Sequence, residues 1–543
     1  MAHGENVVRL TLIDEYLRTQ REPTAIERFS KQHDRDQIHE RFYRDLIPTQ
    51  RPGAGEQFAF QVDLDRCTSC KACVTACHSM NGLDEGETWR FVGHLHGGTA
   101  QAPVQQSVTT ACHHCVDPAC LKGCPVEAYV KDPVTGIVKH LDDQCIGCQY
   151  CTMTCPYEVP QYSKSKGIVR KCDMCSDRLA AGEAPACVQA CPNEAISIRI
   201  VSQAETQQNA EQAAFLPGAP APTITAPTTR YVSDKSMPVN TLPVDYHALK
   251  PGHAHGPLVV MLVLTQLAVG AFALGMLLPA AARAQLALVA LAACFAGLGA
   301  ALLHLGRPLY AFRAVLGVRT SWMSREILAF GLFAKAALAY TALLWRNQLA
   351  ALAGFSLPPL PAALEPGVGA AVLGSGALAV FCSVMIYHVT RKRFWTFTDT
   401  ALKFYGTALK LGAAAALCAA VLAGAAPGLV AAFAGLTCAS ALGKLVHELA
   451  ILRYLSSEPH DLMRSARLLA GTLRPALLAR IVLAVAGGVL APSVSVLSFG
   501  ADHAVLAGLC AIAGACALLG GELLERSFFF SAVSAPRMPG ALH

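Results

Sequence analysis

Sixteen of the 22 cysteines lie between Cys67 and Cys191, in four runs spaced as thiolate ligands are. They read Cys67-x2-Cys70-x2-Cys73-x3-Cys77, Cys112-x2-Cys115-x4-Cys120-x3-Cys124-Pro125, Cys145-x2-Cys148-x2-Cys151-x3-Cys155-Pro156 and Cys172-x2-Cys175-x11-Cys187-x3-Cys191-Pro192. A short loop can hold three corners of an iron–sulfur cubane and cannot reach the fourth, so the trailing cysteine ligates a second cluster. Two other chemistries compete for such residues. A disulfide framework suits small secreted domains, and no signal peptide is read ahead of these runs. Structural zinc sites use paired C-x2-C knuckles, not triple C-x2-C-x2-C runs with a trailing Cys-Pro. Four such runs favour iron–sulfur chemistry, and sixteen ligands at four per cluster give four 4Fe-4S cubanes.

The elements that must position these loops are short strands. Phe58 to Asp65 alternates apolar and polar residues and delivers the chain to Cys67, and Gly136 to Leu141 does the same before Cys145. Ahead of them, residues 1–57 form a charged arm with scattered apolar positions such as Leu10, Leu12, Ile13, Tyr16 and Leu17, suited to short amphipathic helices or a loosely held segment. The 543-residue chain is split in composition: charge and ligand cysteines crowd the first part, and Ala, Leu, Val and Gly dominate the second. A net charge of only +6, with no lysine–arginine block, excludes nucleic acid as a partner.

Four ligand runs on short strands make two ferredoxin-like units. With Cys112-His-His-Cys115, Cys145-Ile-Gly-Cys148 and Lys171-Cys-Asp-Met-Cys175, the segment 58–201 resembles the four-cluster electron-transfer subunit of the dimethyl sulfoxide reductase family of molybdenum enzymes. That resemblance implies four ligand sets: Cys67, Cys70 and Cys73 with Cys191; Cys172, Cys175 and Cys187 with Cys77; Cys112, Cys115 and Cys120 with Cys155; and Cys145, Cys148 and Cys151 with Cys124. His78 stands where the other three runs have proline, a departure that bears on the local turn rather than on ligation.

Residues 202–256, rich in Pro, Ala, Thr and Gln, read as a linker whose later part, Thr228 to Ser233 and His253 to His255, is suited to docking on the cluster domain or the membrane surface, with solvated linker histidines the favoured reading of His253 and His255. Beyond it come eight apolar stretches, centred near Leu267, Phe295, Lys335, Phe381, Ala414, Thr437, Ala484 and Ala513, each long enough for the roughly 20 residues a membrane helix needs. Lys335, Lys410, Lys444 and Arg480 interrupt them, and such charges either snorkel or face the bundle interior. Cys294, Cys382, Cys418, Cys438, Cys510 and Cys516 lack ligand spacing and read as small apolar residues. The expected fold is an α+β ferredoxin-like double unit followed by an all-α eight-helix transmembrane bundle (257–526) and a short tail (527–543). Twelve basic residues in the even-numbered loops (Arg307, Arg313, Arg319, Arg325; Arg391, Lys392, Arg393, Lys403; Arg453, Arg464, Arg467, Arg474) predict cytoplasmic termini at the inner membrane.

The run His304-Leu-Gly-Arg-Pro-Leu-Tyr310, continued by Arg319 to Glu326, resembles the eight-span anchor subunit of the same family. The resemblance implies a quinone site at His304 and Glu326, residues able to exchange the protons that accompany quinone electrons. A helix-end histidine and a glutamate paired with Arg325 or Arg307 is the structural alternative, and His388, His447 and Glu448 are further candidates. No dinucleotide fingerprint is present, so substrate chemistry is expected on a separate molybdopterin subunit, with this protein carrying electrons to or from membrane quinone. A cytoplasm-facing fused subunit is similar to the sulfite-oxidising membrane molybdoenzymes. Quinol oxidation of the dimethyl sulfoxide reductase type, a polysulfide- or formate-type module, and a structural anchor whose clusters feed a soluble acceptor are the alternatives.

Overall fold

The computed structural model describes residues 11–24, 27–28, 30–31, 43–352, 354, 358–359, 361–501 and 503–540. Much of the charged arm lies outside these; within it, Leu12–Arg21 is an exposed helix capped by Thr11 and Asp14. The cluster half is built from small sheets. β1 (Glu56–Asp63) and β8 (Ile196–Ser202) pair antiparallel, so the start and end of the cysteine region lie side by side. That pairing brings the first cysteine run to the fourth. Two further hairpins, β4 (Tyr129–Lys131) with β5 (Val138–His140) and β6 (Gln161–Ser163) with β7 (Ile168–Arg170), flank the third run. β2 (Phe91–Gly98) and β3 (Pro103–Thr110) form a longer hairpin between the first run and the second.

The Pro-rich stretch expected to be a linker is folded onto this half. It carries a helix, Gln203–Glu211, and β9 (Arg230–Val232), which adds in parallel to the edge of β1. A further short strand, β10 (Leu242–Pro243), pairs with β2. Proline removes one donor but leaves the remaining N–H and C=O groups free to cover an open sheet edge, which is the role these segments take.

Among the described residues the second half has eight helices long and apolar enough to cross a membrane: Gly256–Gly275, Ala280–Leu302, Trp322–Leu344, Leu364–His388, Phe397–Leu422, Pro427–Ser456, Arg474–Gly500 and Ala504–Ser531. Each coincides with one of the eight expected stretches. Their packing uses small residues: a Cβ added at Gly270 of the first span would lie 1.8 Å from the Ala408 carbonyl oxygen of the fifth, so the two backbones meet there because no side chain intervenes. The tail returns to the cluster half, where Met538 is buried in its core and Arg537 lies 3.6 Å from Glu158.

Candidate functional site

Each cysteine loop is shaped by residues in the left-handed region. Ser69 and Lys71 in the first run (φ 60° and 62°) match Gly147 and Gln149 in the third (φ 70° and 59°), two and four residues after the leading cysteine. Such turns aim backbone N–H groups at sulfur. Gly147 donates to Cys145 Sγ at 3.4 Å, Met174 to Cys172 Sγ at 3.4 Å, Ala128 to Cys124 Sγ at 3.2 Å and Ala195 to Cys191 Sγ at 3.3 Å. Three Cys-Pro-x-Glu turns end alike, with Glu127, Glu158 and Glu194 at φ 52–54°. The run lacking proline differs: Cys77 and His78 lie inside the helix Ala72–Asn81, which continues to a Gly82 cap, whereas short helices stop at Cys124 and Cys155.

The sixteen thiols are free and fall into groups that join distant runs. Burial, together with the thiols of Cys73, Cys191 and Cys70, pushes Cys67 up. Burial, with Cys187 and Cys175 close by, pushes Cys77 up to about 12. Cys112, Cys115, Cys120 and Cys155 line one cavity, and Cys148 is surrounded by Cys124 and Cys145 with Cys151 alongside. Among the described residues no three His, Cys, Asp or Glu side chains converge as a single-ion site requires; the thiols stand around a volume instead.

Cations are buried between the groups. Arg90 is 2% exposed, lies 4.7 Å from the Phe60 ring centroid and is within electrostatic reach of Cys187, Cys73, Cys172 and Cys77. Lys171, 3% exposed, is held by the Val138 and Cys172 carbonyls and lies near Cys112, Cys120 and Cys172. Neither has a carboxylate ion-pair partner among the described residues. A buried cation without an anion is costly, so the thiol groups must supply negative charge. Thiolate-held iron–sulfur clusters do, and the N–H donors, the grouped thiols and the two cations all fit them.

The third run faces the bundle. The segment between the second and third spans grips it and the end of the second run: Arg307 N–H donates to the Ile146 carbonyl at 3.0 Å, Gly317 N–H to Pro125 at 2.9 Å, Ser321 Oγ to Gly123 at 2.7 Å, and the Arg307 and Arg313 guanidiniums to the Asp142 and Asp143 carbonyls. Gly306 is required by closeness, since a Cβ there would lie 2.1 Å from the Gly167 carbonyl oxygen. Tyr150, in the Cys148–Cys151 turn, reaches into the bundle and donates to the Ile386 carbonyl at 2.7 Å.

His304 and Glu326 flank this turn without touching each other. Burial pushes the His304 imidazole down, opposed by its hydrogen bond to the Cys148 backbone, and its Nε2 is buried without a partner. Its ring lies 5.2 Å from that of His255, which packs 5.5 Å from Phe530; burial and the neighbouring His304 and His253 push His255 down to about 3. The two rings are therefore neutral at pH 7, and His255, expected to be solvated, belongs to this site. Glu326 is buried, hydrogen-bonded by Ser383 and near Tyr150; it pairs with neither Arg325, which donates to the Val318 and Arg319 carbonyls, nor Arg307. A cavity of about 750 Å³ lies alongside, lined by Tyr150, Trp322, Met385, His388, Lys392 and Trp395. His447 and Glu448 line a different cavity of about 190 Å³. Nothing in the sequence patterns marked Tyr150, Ser383 or His255; only the close spacing of His253 and His255 ahead of the first span was available.

A domain of grouped thiols docked through its second and third cysteine runs on an eight-helix bundle defines a membrane-anchored iron–sulfur electron-transfer protein. Family models agree on both halves: a 4Fe-4S dicluster domain matches residues 104–200, and the DMSO reductase anchor subunit (DmsC) matches residues 249–531. The protein belongs to the DMSO reductase anchor subunit family, with the iron–sulfur partner fused ahead of the anchor. That iron–sulfur part is similar to the B subunit of the anaerobic dimethyl sulfoxide reductase of Haemophilus influenzae, 38% identical over 28% of this protein and 78% of the relative. It is also similar to the corresponding B subunit of Escherichia coli K12, 42% identical over 26% and 72%, and to the hydrogenase-2 operon protein HybA of Escherichia coli O157:H7, 36% identical over 27% and 52%.

Proposed function

We propose that this protein carries electrons through four 4Fe-4S clusters between a separate molybdopterin-containing catalytic subunit and quinone in the bilayer. The ligands are Cys67, Cys70, Cys73 and Cys191; Cys77, Cys172, Cys175 and Cys187; Cys112, Cys115, Cys120 and Cys155; and Cys124, Cys145, Cys148 and Cys151. Arg90 lies between the first two sets and Lys171 between the second and third, which orders the sets as a path ending at the bundle. The observation that carries the reading is the Cys148–Cys151 turn, whose Cys148 backbone is hydrogen-bonded by His304 and whose Tyr150 lies within electrostatic reach of Glu326.

Quinone, when bound, supplies two-electron, two-proton chemistry. The unpartnered Nε2 of His304 would accept a hydrogen bond from a quinol hydroxyl, and Glu326, its carboxyl held by Ser383, would exchange the accompanying proton. Tyr150 spans the gap from the Cys148–Cys151 turn to the bundle, and Trp322 and Trp395 line the neighbouring cavity. Basic residues in the even-numbered loops favour a cluster half on the cytoplasmic side of the inner membrane. Sulfite oxidised by a cytoplasmic molybdenum subunit is then the electron source. A second reading, in which quinol electrons reduce a sulfoxide, is favoured by the names of the dimethyl sulfoxide reductase relatives.

Anaerobic affinity purification of the full-length protein from native membranes tests both readings. A molybdopterin protein should co-elute, and the preparation should reduce a quinone analogue with sulfite. Reduction of dimethyl sulfoxide by quinol instead would select the second reading; a preparation with neither activity would defeat the proposal.

A further inference from the structure

Away from the quinone candidates, the bundle buries a second ionisable assembly. Lys410, Lys444, Arg480, Glu522, Glu525 and Arg526 are all at most 6% exposed inside the fifth, sixth, seventh and eighth spans. Glu522 is the hub, hydrogen-bonded by Thr407, Lys410, Lys444 and Arg480. Lys444 reaches Glu525 and Glu448 at 3.4 Å each, and Arg480 reaches Glu448 at 3.0 Å. Glu448 and Glu525 in turn line the cavity of about 190 Å³, with Asp399, Lys403 and His447 at its mouth. That mouth lies where the fifth span begins and the helix of the sixth ends, the face that carries the basic loops and the cluster half.

The assembly is unfinished in one sense only. Gln266 Nε2, Arg480 Nε and Nη1, and Arg526 Nε and Nη1 are buried without partners, and all five are donors. The cations Lys410, Lys444, Arg480 and Arg526 share Glu448, Glu522 and Glu525, and among the described residues no protein acceptor reaches the five donors. Buried donors in a polar, roomy site are satisfied by water, and water among carboxylates and ammonium groups passes protons. The assembly also points toward the quinone candidates. Arg526 sits 4.0 Å over the Phe404 ring, Phe404 packs 5.8 Å from Tyr387, and Tyr387 lies within electrostatic reach of both Arg526 and Glu326. A clamp between helices would need one ion pair, not a series of them leading from an open cavity to a layer of unpaired donors. Ionisable side chains inside a membrane are costly and mark proton or ion routes.

We propose that Glu448, Glu525, Glu522, Lys444 and Lys410 form a proton relay between the cavity on the cluster side and the interior of the bundle beside Glu326. The relay rests on the quinone reading above. Oxidation of one quinol yields two electrons and two protons. The electrons pass singly to two oxidised clusters, each gaining one; the protons leave through Glu326 and the relay to the cavity, and quinone reduction runs the same route inward.

The test uses the intact complex, prepared with its clusters, mixed anaerobically with a water-soluble quinol analogue while cluster bleaching and proton release to a pH dye are followed together. Glu448→Gln and Glu525→Gln keep size and hydrogen-bonding capacity but cannot carry the proton. Both should slow proton release by about a hundredfold, with cluster content unchanged, and a small permeant weak acid should restore the rate. Release at the parent rate in both variants, or slowing that the weak acid does not relieve, would overturn the relay. Glu326→Gln separates the two ideas: if it leaves quinol-driven bleaching intact, the quinone site falls, whereas loss of bleaching in Glu326→Gln beside unaffected Glu448→Gln and Glu525→Gln defeats the relay alone.

Discussion

Both halves of this molecule bury cations, but they balance them differently. In the bundle, Lys410, Lys444 and Arg480 converge on Glu522, and every member of the set is supplied by the protein itself. In the cluster half, Glu87 partners Arg170 at 3.1 Å, yet among the described residues Arg90 and Lys171 form no carboxylate ion pair; thiols surround both, with Asp173 the one carboxylate within electrostatic reach of Lys171. The difference shows where the protein depends on something it does not encode. The bundle's buried cations meet carboxylates of the protein itself, whereas Arg90 and Lys171 form no carboxylate ion pair among the described residues and depend on negative charge from thiolates and iron–sulfur clusters.

The largest expected effect follows from that dependence. Removing iron under anaerobic chelation leaves Arg90 and Lys171 uncompensated in a core lined by Cys73, Cys77, Cys112, Cys172 and Cys187. The cluster half should become protease-sensitive while the helices of the bundle survive, which limited proteolysis with circular dichroism would reveal. Equal loss of both halves would contradict the division.

The bundle has a corresponding weak point. Glu522→Ala, at a position with 0% exposure, leaves Lys410 without a carboxylate and takes one from Lys444 and Arg480, and breaking a buried pair costs about 3–5 kcal/mol. Thermal unfolding of the full-length protein should show it, and Lys410→Met, which leaves Glu522 two other cations, should cost less. The reverse order would remove Glu522 as the hub.

A smaller effect is expected at Arg90. Arg90→Met deletes a positive charge between two thiol groups, so electrons are held less well there and the nearby potentials fall, by about 60 mV for a tenfold change in a one-electron equilibrium. Redox titration followed by electron paramagnetic resonance would register it in the two sets that contain Cys73 and Cys77, and leave the other two less affected. A uniform shift would mean that the charge acts on the fold. Smallest is Tyr150→Phe, which forfeits one hydrogen bond to Ile386, worth about 1 kcal/mol, and should weaken docking of the two halves without loss of clusters.

What the sequence disclosed follows from which signals are local. Cysteine spacing is local, and so is a run of twenty apolar residues; both the ligand runs and the eight spans were legible. The His304 and Glu326 segments were legible by resemblance, but not the nearness of both to the Cys148–Cys151 turn. Strand addition by Arg230–Val232 was not legible, because three residues carry little pattern and the open edge of β1 decides their pairing. Charges inside spans were visible but ambiguous. Lys335 stays on the exposed face of the bundle, whereas Lys410, Lys444 and Arg480 turn inward, and only partners on the eighth span separate the two outcomes.

The central claim is that electrons cross between quinone and the clusters at the Cys148–Cys151 turn. It is tested most directly by rapid-freeze electron paramagnetic resonance of the intact complex after mixing with a quinol analogue, comparing the parent protein with His304→Ala and Glu326→Gln. The account predicts cluster reduction in the parent and its loss in both variants, at unchanged iron content. Reduction at the parent rate in both would place the exchange of electrons with quinone elsewhere in the bundle.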